Sequence, residues 1–240
     1  MKILVTSGGT KVPIDKVRDI TNMSSGTFGS KIAKEFMLMG HEVVFLRAKG
    51  SKSPYSVNID FANDEDPFKK FTDLQLLFGR CHCMERYSEH EYRTFDEYFE
   101  RLKFFVGVEQ PDVVVLAAAV SDYGVENPFN GKVRSNDLLT IKLKQLPKII
   151  YYIKEWCPKA RLVGFKLLVG SKDYQLKSAA VKSITENKCD MIVANDLQDI
   201  KENNHKILLV FPDGTEKQYK TDPKDPDYLV KMVAEHTVKL

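Results

Sequence analysis

The residue pattern predicts an α/β fold: a doubly wound, mostly parallel sheet with a flap and a C-terminal β-hairpin, in a single domain over residues 1–240. Three observations lead there. An opening apolar strand, Lys2 to Thr6, breaks at Gly8 and Gly9, and a second small-residue cluster, Asn22 to Gly29, precedes a helical stripe. The run DVVVLAAAV, Asp112 to Val120, is continuous and rich in β-branched residues, as in a parallel strand covered on both faces. Short apolar runs then alternate with helical stripes, which is how βαβ units are written in sequence.

Taken in order, Phe28, Ile32, Ala33, Phe36 and Met37 lay an apolar stripe along a helix ending at Gly40, capped by Ser24 or Ser25. His41 to Ala48 reads as the second strand of a right-handed βαβ unit, followed by a loop over residues 49–56. Residues 62–90 show no clean period and read as helix and loop. Tyr92 to Phe95 reads as a short strand, and Asp96 caps a helix carrying Tyr98, Leu102, Phe105 and Val106, stopped by Pro111. After Val120, residues 124–146 turn polar around an alternating strand LTIKL, Leu139 to Leu143, which predicts a flap or hairpin. Pro147 opens a helix through Ile150 and Ile153, Arg161 to Val169 is a buried strand, Tyr174 to Lys188 a helix, and Cys189 to Leu197 a strand. Two strands, Lys206 to Phe211 and Glu216 to Thr221, flank the turn PDGT before a terminal helix from Asp227. This is a Rossmann-like order, in which ligands bind beyond the carboxyl ends of the strands near the switch in strand order. The segments at Gly8, Asp122, Phe165 and Asn195 all lie at such ends.

Composition narrows the classes. No stretch has the apolar length of a membrane span, and the N-terminus lacks a basic region followed by an apolar segment, so a cytoplasmic protein with no membrane role is expected. A net charge of +3 over 36 basic and 33 acidic residues is too balanced to announce a nucleic-acid surface. Cys81, Cys83, Cys157 and Cys189 form no C-x-x-C pair and read as reduced thiols. Cys81-His82-Cys83 lacks the paired geometry of a metal chelate, and His41, His205 and His236 read as structural or solvated.

The chemistry gathers at the strand ends. Gly8, Gly9, Ser24, Ser25, Gly26 and Gly29 predict a phosphate site, because small residues let backbone N–H groups approach phosphate oxygens at a helix N-terminus. Their spacing is neither G-x-G-x-x-G nor a Walker pattern. Asn22 is either a turn residue or an amide that bonds a substrate carboxylate or phosphate. Asp122 either caps the following segment or meets a cation or ligand hydroxyl. Lys132 on the flap is either solvated or a triphosphate clamp, with Arg134 extending the positive edge, and Phe165 is either core or a platform for a base.

Four blocks carry a resemblance. GGTKVPIDKVRDITNMSSGTFG (residues 8–29), AAAVSDY (117–123), GKVRS leading into LTIKLKQLPKII (131–150), and GFK (164–166) with NKCDMIVANDL (187–197) resemble, in order, the phosphopantothenate-cysteine ligases of coenzyme A biosynthesis. The resemblance implies two steps. The carboxylate of 4'-phosphopantothenate attacks the α-phosphate of a nucleoside triphosphate, and the amine of L-cysteine then attacks the acyl-nucleotidyl anhydride. It also implies roles by position. Asn22 binds the substrate carboxyl region and the anhydride, and Lys132 neutralises triphosphate charge. Gly8, Gly9, Ser24, Ser25, Gly26, Gly29, Ala118 and Ala119 line the nucleotide. Asp122 sits by the nucleotide and its Mg2+, and Phe165 with Lys166 flanks the base. A homodimer is implied, and the chain beginning at the synthetase block implies the stand-alone form without the decarboxylase domain.

Two departures from the fused members stand out. The flap reads Lys132-Val133-Arg134-Ser135, where fused members often carry more lysines, and Lys166-Leu167-Leu168 replaces an acidic continuation, which leaves the nucleotide open between CTP, taken first, and ATP. The rival readings are an NAD(P)-dependent reductase on the same fold, with Arg47 serving NADP, and a non-catalytic nucleotide-binding module. No Tyr-x-x-x-Lys pair supports the reductase.

Overall fold

The computed structural model describes residues 1–57, 66–82, 86–134, 139–201 and 204–240. The elements run β1 (Lys2–Ser7), β2 (Lys11–Pro13), β3 (Asp19–Thr21), α1 (Thr27–Leu38), β4 (Glu42–Ala48), α2 (Pro67–His82), β5 (Tyr87–Tyr92), α3 (Phe95–Glu109) and β6 (Val113–Leu116). They continue with β7 (Tyr123–Val125), β8 (Leu143–Gln145), a 3-10 turn (Ile149–Tyr152) entering α4 (Ile153–Trp156), and β9 (Arg161–Leu168). The last are α5 (Asp173–Asn187), β10 (Met191–Asp196), α6 (Leu197–Lys201), β11 (Lys206–Val210), β12 (Glu216–Lys220) and α7 (Tyr228–Val238).

Eight strands form one sheet in the order β12-β11-β10-β9-β6-β1-β4-β5. The pairs from β10 to β5 are parallel, and the β11–β12 hairpin closes one edge antiparallel. Alternation along β1 and β4 splits the core in two. Ile3, Val5, Val43 and Phe45 pack with Ile32, Phe36 and Met37 of α1 and with Leu229, Val230 and Val233 of α7. Leu4, Val44 and Leu46 lie on the other face with Leu102 and Val106 of α3, Ile153 of α4, and Leu176 and Ala180 of α5. Both faces are covered, so the fold is doubly wound, as the sequence predicts. Among the described residues no helix is long and apolar enough to cross a membrane.

Several boundaries differ from the sequence reading. DVVVLAAAV pairs only over Val113–Leu116. From Ala117 the chain peels off the ladder: the Ala118 N–H donates to Thr6 Oγ1 at 3.3 Å, and Ala119 bridges to Gly9. The edge strand is Tyr87–Tyr92 rather than Tyr92 to Phe95, because YSEHEY carries the charged residues of a sheet edge instead of an apolar run. Phe95 begins α3, and the cap is Thr94, whose Oγ1 accepts from the Glu97 N–H at 3.2 Å, not Asp96. LTIKL is not the flap strand: Leu143–Gln145 pairs antiparallel with Tyr123–Val125, one register block later. Residues 11–21, between the opening strand and the Asn22–Gly29 cluster, form the β2–β3 hairpin. Of Cys81-His82-Cys83, Cys83 lies outside the described residues and the first two end α2. Among the described residues no three His, Cys, Asp or Glu side chains converge as a metal site.

Candidate active site

The strand order reverses at β1, which has β4 on one side and β6 on the other, so a crevice opens beyond the carboxyl ends of β1 and β6. Glycine backbone packs directly against small side chains there. Gly8 has φ +84°, and a Cβ on it would sit 2.6 Å from the Ala48 Cβ. A Cβ on Gly29 would sit 2.6 Å from Ser7 Oγ, and Ser7 donates to the Gly26 carbonyl at 2.9 Å. Tyr92 donates its hydroxyl to the Ser7 carbonyl at 2.8 Å, and burial pushes that phenol well above its usual range, so it stays a donor. The 49–53 loop closes the side, with the Lys52 N–H bonded to the Ser25 carbonyl at 3.0 Å.

Helix α1 starts on this scaffold without the expected serine cap. The N-cap position is Gly26 at φ +74° with no side-chain cap bond, while Ser25 Oγ lies 2.8 Å from Thr27 Oγ1. The left-handed turn at Gly26 leads the chain into the helix, so the serine preceding it falls outside the cap position. The Thr27 N–H reaches back to Ser25 Oγ at 3.4 Å, and Ser30 is the first α1 residue whose N–H bonds back to a carbonyl, that of Gly26 at 3.0 Å. The N–H groups of Phe28 and Gly29 have no acceptor among the described residues, an arrangement suited to an anion.

Across the crevice, Ala119 is the meeting point. Its N–H donates to the Gly8 carbonyl at 2.7 Å, and its carbonyl accepts from the Thr10 N–H at 3.2 Å and from Asn22 Nδ2 at 3.1 Å. The Asn22 amide oxygen has no partner among the described residues. Ser24 joins through its N–H, 2.9 Å from the Asn22 carbonyl, and lies near Gly9. Asp122 is exposed and caps nothing: its backbone carbonyl accepts from the Leu146 N–H at 2.8 Å, and its carboxylate has no partner among the described residues.

Lys132 is exposed on the flap, and its ammonium has no partner among the described residues. The segment beneath it is held firmly by the β2–β3 turn. The Phe129 N–H donates to the Ile14 carbonyl and the Lys16 N–H to the Gly131 carbonyl, each at 2.9 Å. Asp15 and Arg18, which the sequence reading passed over, hold Val133 from both sides. The signal for them was present: an Asp two and three residues ahead of the N–H groups it accepts is an Asx-turn pattern, here at 2.8 Å to both Val17 and Arg18.

Phe165 joins the crevice through Phe28, ring centroids 6.1 Å apart, and Phe28 lies 5.7 Å from His205. His205 is 3.4 Å from Asn195 Nδ2, and burial lowers its pKa, which favours the neutral ring. Asn195 comes from β10 and His205 directly precedes β11, so their closeness is set by the fold and not by spacing. Phe165 and Lys166 are successive β-strand residues and point to opposite faces, so they do not share one side of the crevice. Arg47 is engaged, with Nε on Glu89, Nη2 2.7 Å from Glu91 and Nη1 donating to the Ser51 carbonyl at 3.0 Å.

The family model for the DNA/pantothenate metabolism flavoprotein C-terminal domain matches residues 1–63 and 97–236. The chain is 35% identical over 216 residues to the coenzyme A biosynthesis bifunctional protein CoaBC of Thermococcus kodakarensis, covering 90% of this chain and 46% of that protein. It thus spans about half that relative's length. Phosphopantothenate–cysteine ligase 1 of Arabidopsis thaliana is 31% identical over 229 residues, 83% of this chain and 70% of that one. Among solved structures, the DNA/pantothenate metabolism flavoprotein of Streptococcus pneumoniae superimposes with a TM-score of 0.76 at 28% identity, covering 100% of this chain and 97% of that one.

Proposed function

Because the chain belongs to the DNA/pantothenate metabolism flavoprotein C-terminal domain family, we propose that it ligates 4'-phosphopantothenate to L-cysteine at the β1–β6 crevice. The pantothenate carboxylate attacks the α-phosphate of a nucleoside triphosphate, forming an acyl-phosphate bond as pyrophosphate leaves. The cysteine amine then attacks the acyl carbon, an amide forms, the nucleoside monophosphate departs and the amine proton passes to solvent. The observation that carries this reading is the Asn22–Ala119 bond, which ties the segment leading into α1 to the loop after β6 where strand order reverses.

In this reading Gly8, Gly9, Ser24, Ser25, Gly26, Gly29, Ala118 and Ala119 line the nucleotide, and the Phe28 and Gly29 N–H groups meet phosphate oxygens. Asn22 holds the acyl group with its amide, and Lys132 meets charge building on the triphosphate. Phe165 borders the base at the far end, and Lys166 serves from the opposite face of its strand. Among the described residues no acidic cluster converges, and the carboxylate of Asp122 fits a Mg2+ that arrives on the triphosphate and takes one protein oxygen. That ion supplies charge neutralisation on the phosphates. CTP is the nucleotide we propose first, ATP second, and the active form we propose is a homodimer of this single synthetase domain. The reductase reading loses its NADP ligand, since Arg47 is occupied by two carboxylates and a carbonyl.

The test is to incubate the protein with phosphopantothenate, cysteine, Mg2+ and either CTP or ATP and follow pyrophosphate. Cysteine-dependent product with one of the nucleotides is the expected result. Its absence with both overturns the ligase reading.

A further inference from the structure

One buried carboxylate near the crevice has no part in the roles above. The Asp15 side chain is shut off from solvent in the β2–β3 turn. Its Oδ1 accepts from the Val17 and Arg18 N–H groups, and its Oδ2 accepts from Arg18 Nε at 3.0 Å, from Arg18 Nη2, and from the Val133 N–H at 3.1 Å. Arg18 Nη2 continues to the Val133 carbonyl at 3.0 Å. Both backbone polar groups of Val133 are therefore held by one ion pair, and Val133 directly follows Lys132. A carboxylate that only closed its own turn would need no donor 118 residues away. A long ammonium side chain on a loose loop would have to be ordered at each encounter, whereas a fixed base removes part of that cost.

We propose that Asp15 is a positioning residue for the ligation: with Arg18 it fixes the backbone beside Lys132, so that the ammonium meets the triphosphate from a preset place. This rests on the ligase reading. The same turn leads through β3 into Asn22, so one carboxylate sets the flap relative to the strand that delivers the acyl-binding amide.

Four proteins test it: the unmodified chain, Asp15→Asn, Lys132→Ala and the double variant, each assayed in a single turnover for acyl-nucleotidyl formation without cysteine. Asp15→Asn is expected to slow this step about 10- to 100-fold and raise the nucleotide KM, leaving the cysteine KM unchanged. In the Lys132→Ala background the same change is expected to cost less than about twofold, because the group being positioned is gone. An equal loss in both backgrounds would mean a general structural role and would overturn the proposal. If Asp15→Asn does not fold, Arg18→Lys keeps a cation beside Asp15 while removing the bond to Val133, and carries the same cycle. Hydrogen exchange at the Val133 amide needs no substrate: it should lose protection in Asp15→Asn while β1 and β9 keep theirs. An equally protected Val133 overturns the join whether or not the unmodified chain makes product, whereas missing product alone overturns the ligase reading.

Discussion

Asn22 donates its side-chain amide to the carbonyl of Ala119 at 3.1 Å, across 97 residues of sequence. The bond spans the crevice from the hairpin after β1 to the loop after β6 and leaves the amide oxygen without a partner among the described residues. Asn22→Asp replaces that donor by a carboxylate opposite a carbonyl. We expect the second half-reaction to slow about 10- to 100-fold and the acyl-nucleotidyl species to accumulate, read by mass spectrometry. Unchanged turnover with no intermediate would count against the role.

Lys132 is exposed and unpaired among the described residues, so its removal should leave the fold alone. Lys132→Ala is expected to cut pyrophosphate release about 10²- to 10³-fold while moving the thermal midpoint by no more than about 2 °C. A variant that loses several degrees, or keeps its activity, would contradict the assignment.

Gly8 tests the scaffold. Gly8→Ala must hold a side chain at φ +84° with its Cβ 2.6 Å from that of Ala48. The left-handed backbone and the overlap together are expected to cost about 2–4 kcal/mol, measured as a shift in the urea midpoint at unchanged slope. A midpoint equal to that of the unmodified chain would show that the loop relaxes freely.

Acid should weaken the fold through two buried carboxylates. The Arg18 guanidinium holds Asp15 well below the usual carboxylate range. At Asp196 burial pushes upward but is outweighed by the N–H groups of Ser171, Gln198 and Gly170. Both groups bind protons more readily in the unfolded chain, so stability rises with pH through this region. The contribution is complete above about pH 5 and is lost as pH falls through the folded values. Urea midpoints taken from pH 6.5 to pH 3 should fall on the acid side, less steeply in Asp15→Asn. A flat profile would refute the linkage.

The elements legible from sequence were those whose side chains carry their own period. The Phe28 to Met37 stripe, the buried strands at Leu4, Val44 and Val193, and the PDGT hairpin all fall where the pattern places them. What escaped was held by partners distant in the chain. YSEHEY has no apolar period because it is an edge strand whose Glu89 answers Arg47. Leu143–Gln145 is a strand because Tyr123–Val125 lies beside it, and nothing in LTIKL marks the boundary. At the crevice, glycines and serines announced themselves by composition. Asn195 could be placed at a strand end, but its closeness to His205 and the reach of Asp15 to Val133 could not be read, since each is a contact that only the fold creates.

The crowding of Gly8, Gly26 and Gly29 against Ala48, Ser51 and Ser7 divides the crevice into an inherited half and an adjustable one. Any side chain added at these glycines runs into the Cβ or Oγ atoms of Ala48, Ser51 or Ser7, so a protein engineer has little there to vary. The opposite end, bordered by Phe28, Phe165, Asn195 and His205, presents side chains on separate elements that could be exchanged one at a time. On the ligase reading, efforts to change nucleotide preference belong at that end, with the glycine half left as found.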